Sequence, residues 1–236
     1  MKNMNRIISV RNPKSPIAEA YRGIRTSIEF SNLDKELKVI NVTSSTQNEG
    51  KSTVIANLAV SFANLDKKVL IMEGDLRNPS VHRMFNISNV EGLTDMLLGN
   101  KNFTECVHCT DVRNLHVLTC GPIPPNPSEM LSSKKIKDFV ESLRDYYDYV
   151  FIDAPPIGIV TDAGIISTYT DGCIFVVGAG EADIEMAKVS KERLEKVGAN
   201  ILGVVLNKFE ASGANGYYNY YYEQETRRTR RGRRKR

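Results

Sequence analysis

An α/β fold of three layers, with a mostly parallel central sheet flanked by helices, is what this 236-residue chain predicts. Three observations lead there. Short runs are apolar throughout rather than at every second residue, the pattern of strands covered on both faces. Segments of helical periodicity alternate with those runs. Three of the runs end in hydroxyl or carboxylate residues, and in open parallel sheets ligands bind beyond the strands' carboxyl ends.

The elements follow in chain order. Pro13 and Pro16 precede Ile17–Arg25, with Ser15 as helix N-cap, so a helix is expected over 15–31. Leu37–Thr43 reads as a strand, then a loop, then a helix from Lys51 to Leu65. Val69–Met72 is a second buried strand, ending in Glu73-Gly74-Asp75. Gly92–Leu98 is a short helical piece and Leu115–Leu118 a short strand. Gly121–Pro127 carries four prolines, which fix φ and bias their predecessors away from helix, so it reads as an extended connector. Ser132–Tyr146 is a predicted helix and Tyr149–Asp153 a buried strand closing on a carboxylate. Cys173–Val177 and Ile201–Leu206 are two further buried strands, with a helix over Asp183–Val197 between them.

Composition narrows the class. A chain of this length suits one domain with a sizeable core. No stretch reaches the roughly 18 apolar residues of a membrane span, and no signal-peptide core opens the chain, so a cytoplasmic location is expected. Four cysteines do not make a disulfide framework, and Cys106-Val107-His108-Cys109 lacks a second ligand pair for zinc. The net charge of +4 is unevenly spread: residues 223–236 hold eight basic and two acidic residues, leaving 1–222 at −2. A basic nucleic-acid surface is therefore not indicated, and no nucleic-acid partner is expected. The basic stretch reads as a solvated tail that is also able to meet an anionic membrane.

The chemistry is concentrated at the strand ends. Gln47-Asn48-Glu49-Gly50-Lys51-Ser52-Thr53 follows the apolar Val39–Val42. A glycine there lets backbone amides close on a phosphate, the lysine spreads charge over β/γ oxygens, and the Ser52 hydroxyl suits Mg²⁺. The usual G-x-x-x-x-G-K-[ST] pattern asks for glycine at position 45, where this chain has Ser45. Asp153, ending Val-Phe-Ile-Asp, is a natural Walker B carboxylate, and Glu73 with Asp75 form a second acidic pair. The fold class is thereby narrowed to a three-layer P-loop NTPase.

Taken together, these segments resemble the bacterial tyrosine kinases (BY-kinases) of the capsule and exopolysaccharide type. Ser44–Thr53 is similar to the family's Walker A segment, Leu70–Pro79 to its Walker A′ motif, and Val150–Pro156 to its Walker B. Ser15–Arg25 resembles its N-terminal segment, whose E-x-x-R-x-x-R core stands here as Glu19, Arg22 and Arg25. Gly121–Leu131 matches a further family segment. A terminal tyrosine cluster is present as Tyr217, Tyr218, Tyr220, Tyr221 and Tyr222.

The resemblance implies a kinase domain over 1–214, a tyrosine cluster at 215–222 and an Arg-rich tail at 223–236. It implies ATP and Mg²⁺ as cofactors. Thr46, Gln47, Asn48, Glu49, Gly50, Lys51, Ser52, Thr53 and Asn207 would hold the nucleotide, and Ser52, Asp75 and Asp153 the metal. Lys51, Glu73, Asp75 and Asp153 would be catalytic, with Glu73 and Asp75 both open as the tyrosine's base. Glu19, Arg22 and Arg25 would mediate a homo-oligomer, ring-shaped in one form. A separate transmembrane activator, a polysaccharide co-polymerase, would bring the kinase to the inner face of the membrane. Autophosphorylation of the five tyrosines and control of polysaccharide synthesis are the implied function, together with protein substrates modified on tyrosine.

Ser45 is tolerated in this family, and Thr46 stands where partition and division ATPases of the related group carry lysine. Glu73 departs from the family pattern, which has aspartate there. Two alternatives follow: a non-kinase P-loop ATPase switch, or a nucleotide-binding regulatory scaffold impaired at Glu73.

Overall fold

Residues 7–31 and 36–209 are described in the computed structural model. The tyrosine cluster at 217–222 and the Arg-rich tail from 223 lie outside the described residues.

From the N-terminus come α1 (Ile8–Arg11), α2 (Pro16–Ser31), β1 (Val39–Ser44), α3 (Lys51–Ala63), β2 (Val69–Glu73), α4 (Val81–Phe85), α5 (Leu93–Leu98) and α6 (Phe103–Cys106). Then follow β3 (Val107–Cys109), β4 (Leu115–Leu118), α7 (Pro127–Ser132), α8 (Lys134–Leu143) and β5 (Tyr149–Asp153). The chain continues through α9 (Asp162–Ser167), β6 (Gly172–Gly178), α10 (Ile184–Lys196) and β7 (Ile201–Asn207). The seven strands form one sheet in the order β3-β4-β2-β5-β1-β6-β7. All pairings are parallel except β3 with β4. The predicted mostly parallel, three-layer architecture is the one observed.

The continuous apolar runs explain the layers. In β1, β2 and β5 every residue is buried, because helices cover both faces. On one face α1–α4 pack a core that includes Ile40, Val42, Phe62, Ile71 and Phe151; on the other α5–α10 cover Leu70, Met72, Val150, Ile152 and Phe175. Phe62 meets Tyr149 at 4.1 Å and Phe151 at 5.5 Å between ring centroids. Full burial of such a side chain contributes about 1.5–3 kcal/mol, so this aromatic cluster is a main anchor of α3 on the sheet. At the amino end of the sheet, Asp171 accepts the Lys38 and Val39 amides at 2.9 and 2.8 Å and a two-pronged Arg144 guanidinium at 2.7 and 2.9 Å. That node ties β1, α8 and the entry to β6 together.

Several elements differ from the sequence expectation. The helix expected over Ser132–Tyr146 is divided: Pro127 opens α7, and Ser133 then leaves helical geometry and N-caps α8 through its hydroxyl. The run Ile201–Leu206, expected to be buried, forms the edge strand β7, with Val204 60% and Leu206 55% exposed. An edge strand has one neighbour, so its apolar composition reflects position less strictly. Cys106 is buried and Cys109 exposed, and no cluster of three metal-ligating side chains occurs among the described residues.

Candidate nucleotide and phosphoryl-transfer site

A cleft of about 610 Å³ opens at the carboxyl ends of the strands. Its walls come from the loop after β1, the segments after β2 and β5, and the end of β7. The sheet order brings these four together although they are far apart in sequence.

The loop's shape follows from two left-handed residues, Asn48 at φ 64° and Gly50 at φ 96°. Any Cβ at Gly50 would lie 2.0 Å from Asn207 Nδ2, so glycine is required by space as well as by φ. Asn207, in turn, donates through Nδ2 to the Glu49 carbonyl at 2.9 Å. The loop delivers the chain into α3 with Lys51 as its first residue, and the free amides and dipole of that end suit a phosphate.

Beneath Lys51 the metal-type chemistry assembles. The β2–β5 register sets Glu73 beside Asp153. Ser52 Oγ donates to Asp153 Oδ2 at 2.6 Å and lies 2.6 Å from Ser80 Oγ. Glu73 Oε2 accepts the Ser80 and Val81 amides at 2.7 and 2.8 Å. The other oxygens, Glu73 Oε1 and Asp153 Oδ1, are buried without a hydrogen-bond partner. Burial, followed by the neighbouring Asp153 charge, pushes the Glu73 carboxyl well above its ordinary range. Burial also raises Asp153, although Lys51 and the Ser52 hydroxyl partly offset it. Two adjacent buried carboxyls with orphaned oxygens beside a serine hydroxyl fit a hydrated divalent cation; the donor set is all oxygen, as Mg²⁺ prefers.

Asp75 is placed differently. Its Oδ1 accepts the amides of Arg77 at 3.2 Å and Asn78 at 2.9 Å, and the residue lines the cleft. Burial is the main cause of its raised pKa. Arg77 also reaches the cleft, held by a bond from Nε to the fully buried Asp162 at 2.7 Å, while Ser128 Oγ donates to the same carboxylate at 2.6 Å.

Of the residues expected around the nucleotide, Gln47, Asn48, Gly50, Lys51, Ser52, Thr53 and Asn207 line this cleft together with Asp75. Thr46 and Glu49 do not: the Thr46 amide donates 2.7 Å to the Glu49 carboxylate, which is turned into the protein. Glu73 and Asp153 lie behind Ser52, at 0% and 1% exposure. Sequence reasoning passed over Ser80, Arg77, Arg83 and Lys208, all lining the cleft. Ser80 follows Asn78-Pro79 directly downstream of the acidic pair, and a serine before a short helix was the available signal.

Glu19, Arg22 and Arg25 lie on α2, away from the cleft. Arg22 pairs with Glu19 and donates to the Pro13 carbonyl at 2.9 Å. Arg25 donates to the Ser61 carbonyl at 2.8 Å, near the end of α3 opposite Lys51. The five tyrosines lie outside the described residues.

Comparison with known proteins agrees with this fold. The ParA family model, described as an NUBPL iron-transfer P-loop NTPase, matches residues 36–230. The tyrosine-protein kinase YwqD of Bacillus subtilis is 42% identical over 214 residues, covering 90% of each chain. The chimerical protein CapA2B2 superposes with a TM-score of 0.85 at 41% identity, covering 87% of this chain and 90% of that one. The kinase domain of the Escherichia coli tyrosine kinase ETK gives 0.84 at 32% identity, covering 88% and 82%.

Proposed function

The chain belongs to the capsule-type bacterial tyrosine kinases, and on that premise we propose that it phosphorylates Tyr217, Tyr218, Tyr220, Tyr221 and Tyr222 from Mg-ATP and so regulates capsular or extracellular polysaccharide synthesis. One observation supports this most: Lys51, Ser52, Asp75 and the buried Glu73–Asp153 pair converge at one cleft, with two carboxylate oxygens unsatisfied. Phosphoryl transfer needs little covalent chemistry from a protein. It needs positioning and charge stabilisation.

Each residue then has a task. Lys51 and the first amides of α3 neutralise charge on the phosphates. Ser52, Asp153 and Asp75 would hold Mg²⁺, which when bound would neutralise charge on the phosphates. Asp75 takes the tyrosine proton, because it faces the cleft while Glu73 is fully buried behind Ser52 and capped onto α4. A tyrosine hydroxyl ionises near pH 10, so a carboxylate within reach assists its attack. The phenolic oxygen forms the new P–O bond as the bond to the β–γ bridging oxygen breaks, and ADP departs. Glu73 caps α4 through one oxygen and leaves the other beside Asp153, where the cation would lie.

Self-association through Glu19, Arg22 and Arg25, and recruitment by a separate membrane-spanning activator, belong to the same proposal. Among the described residues no helix is long and apolar enough to cross a membrane. The test is incubation with Mg-ATP, with and without an activator peptide, and phosphosite mapping by mass spectrometry. Phosphate on the cluster, absent from Lys51→Met, is the expected result. Equal labelling of Lys51→Met and of the variant with all five tyrosines changed to phenylalanine would remove the proposal.

A further inference from the structure

Glu49 is a buried carboxylate that forms no ion pair among the described residues and does not line the cleft. At 1% exposure its side chain accepts from three neutral donors, one of them shared between both oxygens. Ser45 Oγ donates to both carboxylate oxygens at 2.9 Å. The Thr46 amide donates to Oε2 at 2.7 Å, and the Gly178 amide, at the end of β6, to Oε1 at 3.2 Å. The Glu49 backbone carbonyl accepts Asn207 Nδ2 from the end of β7. One residue thus joins both limbs of the phosphate loop to each other and to the tips of two strands.

We infer that Glu49 is a positioning residue for phosphoryl transfer: its carboxylate, locked by Ser45, holds the phosphate loop in the open shape that receives the nucleotide. The idea rests on the kinase reading only for the reaction it serves. Position 45 is where the ordinary loop pattern has glycine, and a side chain there must be accommodated. Ser45 is fully buried, so its hydroxyl needs a partner, and Glu49 is that partner. Four residues later in the same loop, the pair replaces the freedom of a glycine with a tie.

Burying a carboxylate among neutral donors is costly unless its oxygens are saturated. Here each oxygen accepts one backbone amide, from Thr46 or Gly178, and shares the Ser45 hydroxyl. The bonds link 45 and 46 to 49, spanning the turn whose next residues, Gly50 and Lys51, meet the phosphates. Loss of the tie frees the loop to collapse or wander before nucleotide arrives, so binding must then supply the ordering.

The residue acts through the loop rather than on the reacting atoms, and nucleotide affinity is the property it controls. Three variants of the full chain separate this role from general folding. Glu49→Ala removes every side-chain acceptor. Glu49→Gln keeps the length and one carbonyl oxygen. Ser45→Ala keeps the carboxylate and removes only the hydroxyl tie. Mg-ADP dissociation constants by calorimetry, with KM and kcat for ATP, are the readouts, alongside the melting temperature.

Loss of two or more bonds to a charged acceptor predicts that Glu49→Ala raises the Mg-ADP constant and the ATP KM by roughly 10–100-fold, with kcat at saturating ATP within about threefold of wild type. Glu49→Gln recovers most of the affinity, and Ser45→Ala shows a smaller rise of the same kind. Should Glu49→Ala fail to fold, the Ser45→Ala and Glu49→Gln constants decide the matter. Wild-type affinity in the folded variants, or loss of kcat with KM unchanged, overturns the inference. Nucleotide binding is read without phosphotyrosine, so wild-type protein that binds Mg-ADP but labels no tyrosine would sink the kinase reading and leave this one standing.

Discussion

Shortening Glu73 to aspartate, the residue of the family pattern, is expected to damage this protein rather than improve it. Glu73 Oε2 reaches the amides of Ser80 and Val81 at 2.7 and 2.8 Å, at the start of α4. Glu73→Asp withdraws the carboxylate by one carbon–carbon bond, about 1.5 Å, which takes both contacts past the roughly 3.2 Å limit of a good N–H···O bond. Val81 is 1% exposed and has no water to turn to. An orphaned buried donor costs about 1–3 kcal/mol, so with the half-exposed Ser80 the loss is about 2–4 kcal/mol. For a domain of this size that is a fall in melting temperature of roughly 5–15 °C. Ser80 would also shift, and with it the hydroxyl lying 2.6 Å from Ser52 Oγ. Differential scanning fluorimetry and autophosphorylation of the same preparation give the answer. Glu73→Gln is the control: its carbonyl oxygen still accepts both amides, so its apo stability stays at or above wild type while Mg-dependent nucleotide affinity falls. A Glu73→Asp protein as stable as wild type and more active would refute this, and would mark Glu73 as a misplaced base in an impaired scaffold.

Three further outcomes are expected. Without metal, the Glu73 and Asp153 carboxyls keep their protons to higher pH in the folded chain than their ordinary values of 4.5 and 3.8, Asp153 to about 6, so the native state binds more protons across that window and apo stability falls as pH rises through it; Asp153→Asn should flatten the slope in melts between pH 4.5 and 7, and an unchanged slope would contradict the assignment. Asp171→Ala breaks the Arg144 and amide node at the sheet's amino end and should cost about 2–3 kcal/mol in urea denaturation with ATP KM unchanged, since the node is remote from the cleft; an unaltered midpoint would show the node contributes nothing. Gly50→Ala meets both a φ of 96° and Asn207 Nδ2 at 2.0 Å and should weaken Mg-ADP binding roughly tenfold or more, whereas Gly23→Ala, in open space on α2, should be neutral or stabilising by about 0.5–1 kcal/mol; equal effects of the two on Mg-ADP affinity would remove the geometric argument.

Six of the seven strands were legible because their runs are largely apolar, a local property; β3, only Val107-His108-Cys109, was not. The same run in β7 misled about burial, since nothing in Ile201–Leu206 says that the sheet ends there. The helix over 132–146 was legible as helical composition but not as two pieces, because Ser133 caps as readily as it continues a helix. At the site, Lys51, Ser52 and Asp75 were singled out from motifs and Asn207 through the family resemblance, and the structure gathers them in one cleft. Glu49 belonged to the same motif, yet its side chain turns inward. Only the packed neighbours Ser45 and Gly178 decide that direction, and Gly178 is 129 residues away. Sequence left Glu73 and Asp75 equal as bases; Asp75 lines the cleft and Glu73 does not, a difference set by the depth at which β2 ends. Ser80 was legible only as a serine before a short helix, because its importance lies in Ser52 and Glu73, which the fold brings to it.

The β2–β5 pairing places Glu73 against Asp153, and no local rule favours two acids side by side in a core. In the apo chain each keeps an oxygen without a partner, so the pair lowers stability unless a proton or a cation lies between them. In the proposed function, proton and Mg²⁺ compete for one place, and anything that binds only the folded state stabilises it. Two unsatisfied buried carboxyls thus stand at the proposed catalytic centre. Replacing the pair by apolar residues would remove the penalty and the binding energy together. Glu73 differs from its partner in having one oxygen already committed to α4. The added methylene lets a single carboxyl reach the helix that carries Ser80 while leaving its second oxygen beside the metal position. Binding at the pair is thereby tied to the wall of the cleft, a coupling that a shorter side chain could make on one side only.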